Sequence, residues 1–409
     1  MPKKIKKVYL DYAAATPVAP EVVSLVSKIS TEFFGNPSSV HLFGLKAKEI
    51  LEEARRKIAG ELSVKSNEVI FTGSGTESVN LAVLGAARFL KRGHIVTTSI
   101  EHMSVLRAYR QLEREGFKVT YVAVEKNGIV DPQKIIQAVR PDTILISVQH
   151  ANNEVGTVQP VKEIAGKLKT IDKSAARPTL DPRLFAREFS SRRVADLSVP
   201  LFHTDACQAA GFLPIQPHNL GVDLLSLNGA KIYGPKGVAC LYKKASVDLE
   251  PLIYGGSQEF GLRAGTENIA LAAGLALALE IAGRKRKTES ARLKGLRDWL
   301  IQEVLAKIPN SKLNGDAKNR LPNNANFSFK GVDGEMLMLV LSQKGVAVST
   351  GSACTTSETG VSHVIKAIGG NRKWGNIRIS LGKETTKKDL GYFSETLKKE
   401  IKKLVVSPH

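Results

Sequence analysis

The chain has 409 residues, 43% hydrophobic and 24% charged, which excludes a fibrous or disordered chain and predicts a large domain with a smaller companion. Its formal net charge of +20 would suit a nucleic-acid partner, but the basic residues form short runs, 3–7, 284–297 and 398–403, without interleaved aromatic side chains. Such runs are typical of solvated surfaces, so specific nucleic-acid binding is disfavoured and an acidic protein partner fits equally well.

Cysteine usage and hydropathy indicate a reducing compartment. The three cysteines, Cys207, Cys240 and Cys354, have neither the paired spacing of a zinc site nor the density of a disulfide scaffold. No apolar run approaches the roughly 20 residues that span a bilayer, and the basic start is not followed by the apolar core of a secretion signal. We expect a cytoplasmic protein without a membrane partner and without a bound metal.

Short apolar runs alternate with helical patterns through the first two-thirds of the chain. The runs predicted as strands are EVIFT (68–72), HIVTTS (94–99), KVTYVAV (118–124), TILISV (143–148), LFHTDA (201–206), LLSLN (224–228) and VACLY (238–242). Helices are predicted at 78–89, 104–115 and 161–169. This alternation predicts an α/β domain with a mostly parallel sheet covered on both faces.

The pattern changes near residue 267 to a long helical run over 268–304, followed by the strands ANFSFKG (325–331) and IRISL (377–381) with a helix near 333–344 between them. We therefore expect a large domain over 16–266 and a smaller α+β domain formed by 1–15 and 267–409. The run VYLDYAA near the start is compatible with either domain.

Residues of about 172–200 form a proline-containing insertion with alternating charges. Because a structureless link of that length is unusual, we expect a short helix around 182–189. A surface excursion is favoured over a partner site.

Three segments at predicted strand ends carry polar chemistry. GSGTES (73–78) follows a strand and opens a helix, so its free N–H groups and the hydroxyls of Thr76 and Ser78 suit a phosphate. LFHTDACQAAG places Asp205 at a strand end, where a carboxylate needs a cationic partner. LLSLNGAKIYGPKG places Lys231 just beyond another strand.

Each of these features alone has an ordinary structural explanation, as a helix cap or a solvated charge. Together they provide a phosphate cradle, a carboxylate for a ring nitrogen and an amine for a Schiff base. Pyridoxal 5′-phosphate requires this set of groups.

Five further motifs follow a characteristic order along the chain: GNPSSVHLFG (35–44), IEHMSVL (100–106), HANNEVGTVQP (150–160), FGLRAGTEN (260–268) and STGSACTTSETG (349–360). With them the chain resembles the cysteine desulfurases of the class V aminotransferase superfamily, in the branch of the housekeeping and nitrogen-fixation sulfur donors. The resemblance runs nearly end to end and breaks chiefly at the insertion. It implies the fold of aspartate aminotransferase-like pyridoxal phosphate enzymes.

The resemblance also implies roles for individual residues. Lys231 would form the Schiff base, Cys354 would accept sulfur, and His102 would stack on the cofactor ring and act as acid or base. Substrate L-cysteine would be held through its carboxylate by Asn36 and Arg378. The remaining cofactor contacts implied are Gly75 and Thr76 with the phosphate, Asn153 and Gln208 with the phenolic oxygen, Asp205 with the pyridine nitrogen, Asn228 through its amide, and Thr266 with the phosphate of a neighbouring subunit.

Thr266 makes a homodimer the expected state, and the family implies a sulfur-accepting protein partner, either an iron–sulfur scaffold or a tRNA-thiolation relay. One position departs from the family pattern Ser-Gly-His-Lys, because Asn228, Gly229, Ala230 and Lys231 stand there. Ala230 cannot donate a side-chain hydrogen bond, so one phosphate contact is missing, although the amide of Asn228 can still donate.

The expected reaction releases alanine and leaves a persulfide on Cys354, whose surroundings of Gly, Ser and Thr predict a mobile segment. Cys207 and Cys240 lie in apolar contexts and are expected to pack in the core. Two alternatives remain at this level: another pyridoxal phosphate enzyme of this fold, such as a selenocysteine lyase or an aminotransferase, and a non-catalytic basic scaffold protein.

Overall fold

The computed structural model describes residues 6–170, 199–351, 362–371 and 373–406. Cys354 and nearly all of the predicted insertion, including its expected helix, lie outside these described residues. The described parts contain no helix that is long and apolar enough to cross a membrane. They also contain no group of three or more His, Cys, Asp or Glu side chains placed to hold a metal ion.

A seven-stranded sheet in the order β2-β8-β7-β6-β5-β3-β4 forms the centre of the molecule. Strand β8 is antiparallel to both neighbours, and the other pairings are parallel, which confirms the predicted mostly parallel sheet. The strands are β2 (Val69–Thr72), β3 (His94–Thr98), β4 (Lys118–Val122), β5 (Thr143–Ser147), β6 (Leu201–Asp205), β7 (Leu224–Asn228) and β8 (Ala239–Lys243).

Helices cover both faces of this sheet. Two apolar clusters result, one on each face, because β2, β3, β5, β6 and β7 are buried along nearly their whole length and present apolar side chains in both directions. The helices are α1 (Pro20–Glu32), α2 (Leu42–Leu62), α3 (Gly75–Leu90), α4 (Met103–Arg114), α5 (Pro132–Ala138), α6 (Val161–Lys169) and α7 (Pro217–Leu220).

Two small sheets lie among the other residues that the structure describes. One is antiparallel, in the order β12-β10-β9, and the other pairs β1 with β11 in parallel. The run VYLDYAA, which sequence left undecided, therefore joins the small sheets. The elements are β1 (Val8–Tyr9), α8 (Ile269–Lys307), β9 (Ser311–Asn314), β10 (Asn324–Lys330), α9 (Gly334–Gln343), β11 (Val346–Ala347), α10 (His363–Ala367), β12 (Trp374–Ser380) and α11 (Lys387–Val406).

Helix α8 spans both parts of the molecule. Its first half, including Leu275 and Leu279, is buried in the core under the large sheet, and its second half, including Leu300 and Val304, is buried with the small sheets. One continuous helix thus fixes the small sheets relative to the large one. The predicted domain division at 266/267 stays a prediction.

A buried ion pair ties α2 to the edge of the large sheet. The guanidinium of Arg55 makes two bonds of 2.8 Å to the carboxylate of Glu259, and the two side chains are 3% and 1% exposed. Arg55 also donates to Val69 O at 2.7 Å, and Glu259 accepts from Phe71 N at 2.8 Å. Every charged group here is paired, which is the condition under which buried charge is tolerated.

Replacing Arg55 by Met should lower the free energy of unfolding by about 3–5 kcal/mol, because Glu259 would then be buried without a cation. Urea denaturation followed by circular dichroism measures this. The matched control is Arg56→Met, since the Arg56–Glu53 pair is exposed and its loss should cost under about 1 kcal/mol. Equal losses in the two variants would contradict the assignment.

Candidate active site

A cavity of about 250 Å³ lies at the carboxyl ends of the parallel strands, where α/β sheets place their ligands. It contains nine predicted site residues: Gly75, Thr76, His102, Asn153, Asp205, Gln208, Asn228, Lys231 and Arg378. Asn36 and Thr266 are exposed and are not among the lining residues. Cys354 lies outside the described residues.

One end of the cavity is the N-terminus of α3. Ser74 caps this helix by accepting from Glu77 N at 3.1 Å, and Gly75 and Thr76 of the first turn line the cavity. A Cβ on Gly75 would lie 2.9 Å from Cys207 Sγ and 3.1 Å from Asn228 Nδ2, so no larger residue fits this close approach. The result is a cradle of N–H groups suited to an anion.

Ser78 does not belong to this cradle, although the sequence suggested its hydroxyl as a phosphate donor. Its Oγ is buried under the sheet, 2.9 Å from Ser226 Oγ and 3.0 Å from Cys240 O. Ser78 lies on the side of α3 that packs against β7 and β8, because it follows Gly75 by nearly one helical turn. That prediction was wrong.

Asp205 ends β6 and is 8% exposed. Its Oδ1 accepts from Cys207 N at 2.9 Å, and the charges of Lys231 and Asp205 interact across the cavity. Cys207 therefore lies in the cavity wall, directly after the strand, and not in the apolar core as its sequence context suggested. Burial, reinforced by Asp205, raises the pKa of its thiol.

Lys231 closes a short 3-10 turn, Gly229–Lys231, directly after the buried strand β7. Its Nζ donates to Ala14 O from the segment before α1. Burial, and secondarily the positive charge of Arg378, lowers the pKa of this amine. The shift favours the neutral amine, which is the form that attacks a carbonyl carbon.

His102 forms the N-cap of α4. Its Nδ1 accepts from Ser104 N at 3.2 Å and lies 2.8 Å from Ser104 Oγ. Burial lowers its pKa, so the neutral ring is favoured. The loop before it is held by bonds to Ile100 O from Gln149 Nε2, at 2.8 Å, and from Asn152 Nδ2, at 3.0 Å.

Arg378 enters the cavity from β12, in the small sheet. Its Nη2 pairs with Asp11 Oδ1 at 2.7 Å, and its Nη1 donates to Asn153 O at 3.0 Å. Its Nε is buried without an acceptor among the residues that the structure describes. A guanidinium with an unused donor at a cavity wall suits a carboxylate ligand.

Glu101 is a buried acid directly before His102. Its Oε1 accepts from Thr98 Oγ1 at 2.7 Å and from Gln149 N at 3.0 Å, whereas its Oε2 is buried with no partner among the described residues. Burial raises its pKa to about 8, with Asp205 adding to the shift. A neutral carboxylic acid is the expected form at neutral pH.

Sequence reasoning did not identify Asp11, Gln149 or Glu154, which hold or line the cavity. Glu154 is 3% exposed, although it stands in the loop motif HANNEVG. A glutamate in a polar loop gives no sign of burial in one sequence, because its burial comes from the small sheet packing onto that loop.

The chain matches the family model described as aminotransferase class-V over residues 8–176 and 194–393. It is 45% identical to the cysteine desulfurase IscS of Dictyoglomus turgidum, over 99% of this chain and 97% of the relative. It is 37% identical to the cysteine desulfurase of Homo sapiens, over 98% of this chain and 83% of that protein.

Solved structures agree with these sequence matches. A NifS-like protein superimposes with a TM-score of 0.84 at 33% identity, covering 97% of this chain and all of that one. SspA in complex with cysteine superimposes with a TM-score of 0.74 at 34% identity, covering 91% of this chain and 98% of that one.

The buried acid Glu101 gives a pH test. The folded-state pKa of Glu101, about 8, lies above its pKa in the unfolded chain. The wild type therefore loses stability as the pH rises from the unfolded-state pKa to the folded-state pKa. Glu101→Gln keeps an acceptor for Thr98 and removes the ionisation. The free energy of unfolding of both proteins is measured by urea denaturation from pH 5 to pH 8. The difference between them should change in favour of the variant by about 1.4 kcal/mol per pH unit. A constant difference across this range would show that Glu101 is not held neutral.

Proposed function

The chain belongs to the cysteine desulfurases of the class-V aminotransferase family, and from this premise we propose which of its residues carry the reaction. The family implies pyridoxal phosphate as cofactor. The observation that carries the proposal is the single cavity that gathers an anion cradle at α3, the carboxylate of Asp205 and the amine of Lys231.

The residues present fit this cofactor. Gly75 lets the start of α3 approach Cys207 and Asn228 in the cavity wall, and Thr76 lies exposed beside it. Asp205 would keep the ring nitrogen protonated, and Lys231 would attach the cofactor through its amine. When bound, pyridoxal phosphate supplies an electron sink that stabilises negative charge on the α-carbon of an amino acid.

The amide of Asn228 supports phosphate binding where Ala230 lacks a donor. Its Nδ2 lies at the edge of the cradle, 3.1 Å from the position of a Cβ on Gly75. Its Oδ1 accepts from Ala230 N at 3.0 Å, which fixes the orientation of the amide. Asn228 thereby provides one donor near the position that the family histidine would serve.

Lys231 would carry the α-proton, since its lowered pKa favours the neutral amine, which can accept a proton. Neutral His102 would stack on the cofactor ring and serve as acid or base. Gln208 and Asn153 would bond the phenolic oxygen. Asn36 and Arg378 would bind the carboxylate of L-cysteine, and the SspA structure in complex with cysteine supports such a substrate.

Cys354 would take the sulfur. Its thiolate attacks the substrate sulfur, so one S–S bond forms and the substrate C–S bond breaks. The electron pair of the broken bond goes to the substrate carbon, which takes a proton and leaves in alanine. Cys354 ends as a persulfide, formally oxidised by the carbon that is reduced, and the atoms balance without another oxidant.

The surface around the start of α2 supports a homodimer. Val40 and Leu42 are 89% and 81% exposed, and Phe34 stacks with Phe43 at 5.7 Å while both rings remain exposed. An apolar patch of this kind marks an interaction surface. In such a dimer the exposed Thr266 would bond the phosphate bound to the partner subunit.

The persulfide would pass to an acidic protein acceptor, either an iron–sulfur scaffold or a tRNA-thiolation relay, in the cytoplasm. The net charge of +20 supports an acidic partner.

Incubation with L-cysteine should yield alanine and a persulfide that mass spectrometry maps to Cys354. Cys354→Ser should abolish both products without changing cofactor absorbance, because no other thiol would replace the nucleophile. Cys240→Ser serves as the matched control, since that thiol is buried in β8 and its substitution should leave the persulfide on Cys354. Alanine release by Cys354→Ser, or a persulfide on Cys207, would overturn this mechanism.

Leu42→Asp should convert the protein from the mass of two chains to the mass of one in light scattering coupled to gel filtration, because it places a charge in the apolar patch. Leu305→Asp is the control, as this exposed leucine lies on α8, away from the patch. A monomeric wild type, or dissociation by both substitutions, would contradict the proposed interface.

A further inference from the structure

His203 is a fully buried histidine to which the proposed mechanism gives no role. It lies in β6, two residues before Asp205, and is 0% exposed. Burial lowers the pKa of its ring to about 4, although the charge of Asp205 opposes that shift. A neutral imidazole in the core needs partners for both ring nitrogens, because an unpaired polar atom there costs stability.

Three buried serine hydroxyls join the ring of His203 in one series of hydrogen bonds. Its Nδ1 lies 2.8 Å from Ser147 Oγ in β5, and its Nε2 lies 3.1 Å from Ser226 Oγ in β7. Ser226 Oγ lies 2.9 Å from Ser78 Oγ in α3, and Ser78 Oγ lies 3.0 Å from Cys240 O in β8. We call these four side chains the His203 network: Ser147, His203, Ser226 and Ser78. The network connects α3 with four strands of the large sheet.

The carbonyl at the end of the network sets the direction of every hydrogen bond in it. Cys240 O can only accept, so the single hydroxyl proton of Ser78 is donated to it. The proton between Ser78 and Ser226 must then come from Ser226, and the proton between Ser226 and His203 comes from Nε2. Nδ1 is left without a proton and accepts from Ser147. One tautomer of His203 therefore satisfies all four side chains.

The His203 network lies one row deeper than the residues that line the cavity. Side chains two residues apart in a strand point to the same face, so His203 lies beneath Asp205 and Ser226 lies beneath Asn228. Ser78 lies in the first turn of α3, whose N-terminus forms the anion cradle. None of the four side chains of the network is among the lining residues. The network therefore supports the site without lining it.

Ser226 also fixes the residues that hold the Asp205 carboxylate. It is the register partner of Asp205, and its carbonyl accepts from Ala206 N at 2.9 Å. The same carbonyl accepts from the Cys207 thiol at 3.9 Å, and Cys207 N donates to Asp205 Oδ1 at 2.9 Å. The backbone of Ser226 thus holds the carboxyl end of β6, while its hydroxyl bonds Ser78 of α3.

Resting on the proposed cofactor, we propose that the His203 network is a positioning layer that sets the spacing between Asp205 and the anion cradle of α3. These two anchors would meet opposite ends of one pyridoxal phosphate molecule, its ring nitrogen and its phosphate. A ligand that uses both anchors binds tightly only where their spacing is already correct, because preorganised contacts need no rearrangement on binding. Loss of a link in the network should therefore weaken binding of the whole cofactor more than binding of phosphate alone.

Calorimetric titration of the full-length apoprotein tests this spacing. The probe is pyridoxamine 5′-phosphate, which carries the ring nitrogen and the phosphate but no aldehyde, so its affinity does not depend on a Schiff base with Lys231. Ser226→Ala should raise its Kd about ten-fold, because the hydroxyl that joins β6 to α3 is removed. The Kd of inorganic phosphate, measured by competition, should change less than about two-fold, since the cradle itself is retained.

Control substitutions separate positioning from a general loss of stability. Ser328→Ala removes another buried hydroxyl, which donates to Asn376 Oδ1 at 2.6 Å between β10 and β12. It should leave the Kd of pyridoxamine phosphate within about two-fold of the wild type, and urea denaturation compares its stability with that of Ser226→Ala. His203→Leu should weaken binding about ten-fold, whereas His203→Gln keeps an amide donor for Ser226 and should stay within about three-fold of the wild type.

Nuclear magnetic resonance of ¹⁵N-labelled histidine reads the network without any ligand. The wild type should show His203 as a single neutral tautomer with its proton on Nε2 from pH 6 to pH 8, and the signal is assigned by its absence from His203→Gln. In Ser226→Ala the Nε2 proton loses its acceptor, so the proton should divide between the two ring nitrogens.

Equal weakening of pyridoxamine phosphate and inorganic phosphate in Ser226→Ala would overturn the inference, because it would mark damage to the cradle. The same loss of affinity in Ser328→Ala, or a His203 proton on Nδ1 in the wild type, would also overturn it. Failure of the proposed function is distinguishable, since the wild type would then not bind pyridoxamine phosphate at all. Normal binding by the wild type with an unchanged Kd in Ser226→Ala refutes only the positioning role.

Discussion

The site depends on one junction, the contact that Arg378 makes between the small sheet and the loop after β5. The guanidinium of Arg378 bonds Asn153 O at 3.0 Å and Asp11 Oδ1 at 2.7 Å, and the residue is 5% exposed. Residues from both sheets line the cavity. The large sheet supplies Asp205 and Lys231 at its strand ends, and the small sheet closes the space and brings a cation to it.

The electrostatics of the cavity follow from that closure. Burial is the largest cause of the pKa shifts of Lys231, His102, Glu101 and Glu154. Each shift favours the neutral form. The cavity thus holds a neutral amine and a neutral imidazole beside protonated carboxyl groups, the forms that can accept and donate protons.

Elements with a simple hydrophobic pattern could be predicted from the sequence alone. The seven strands of the large sheet were predicted within about two residues, since each is a short run of buried β-forming side chains. Lys231, Asp205 and Gly75 could be placed together because parallel strands end at one edge of a sheet. The family resemblance then supplied Asn153, Gln208 and Arg378, which no local pattern distinguishes.

The errors and omissions have one origin, which is packing between segments distant in sequence. Ser78 turns under the sheet because α3 presents that side to β7 and β8, and the pairing of β1 with β11 joins residues at opposite ends of the chain. Asp11 and Glu154 become site residues through the small sheet. None of these relations is visible in a window of neighbouring residues.

The chemistry of the three cysteines follows from the same burial. Cys207 lies in the cavity wall, closest in sequence to Asp205, yet burial and that carboxylate raise its pKa and keep it a thiol. Burial in β8 likewise raises the pKa of Cys240. The burial that keeps Cys207 a thiol also favours the neutral amine of Lys231. The third cysteine, Cys354, is the one that the family resemblance predicts as the sulfur acceptor.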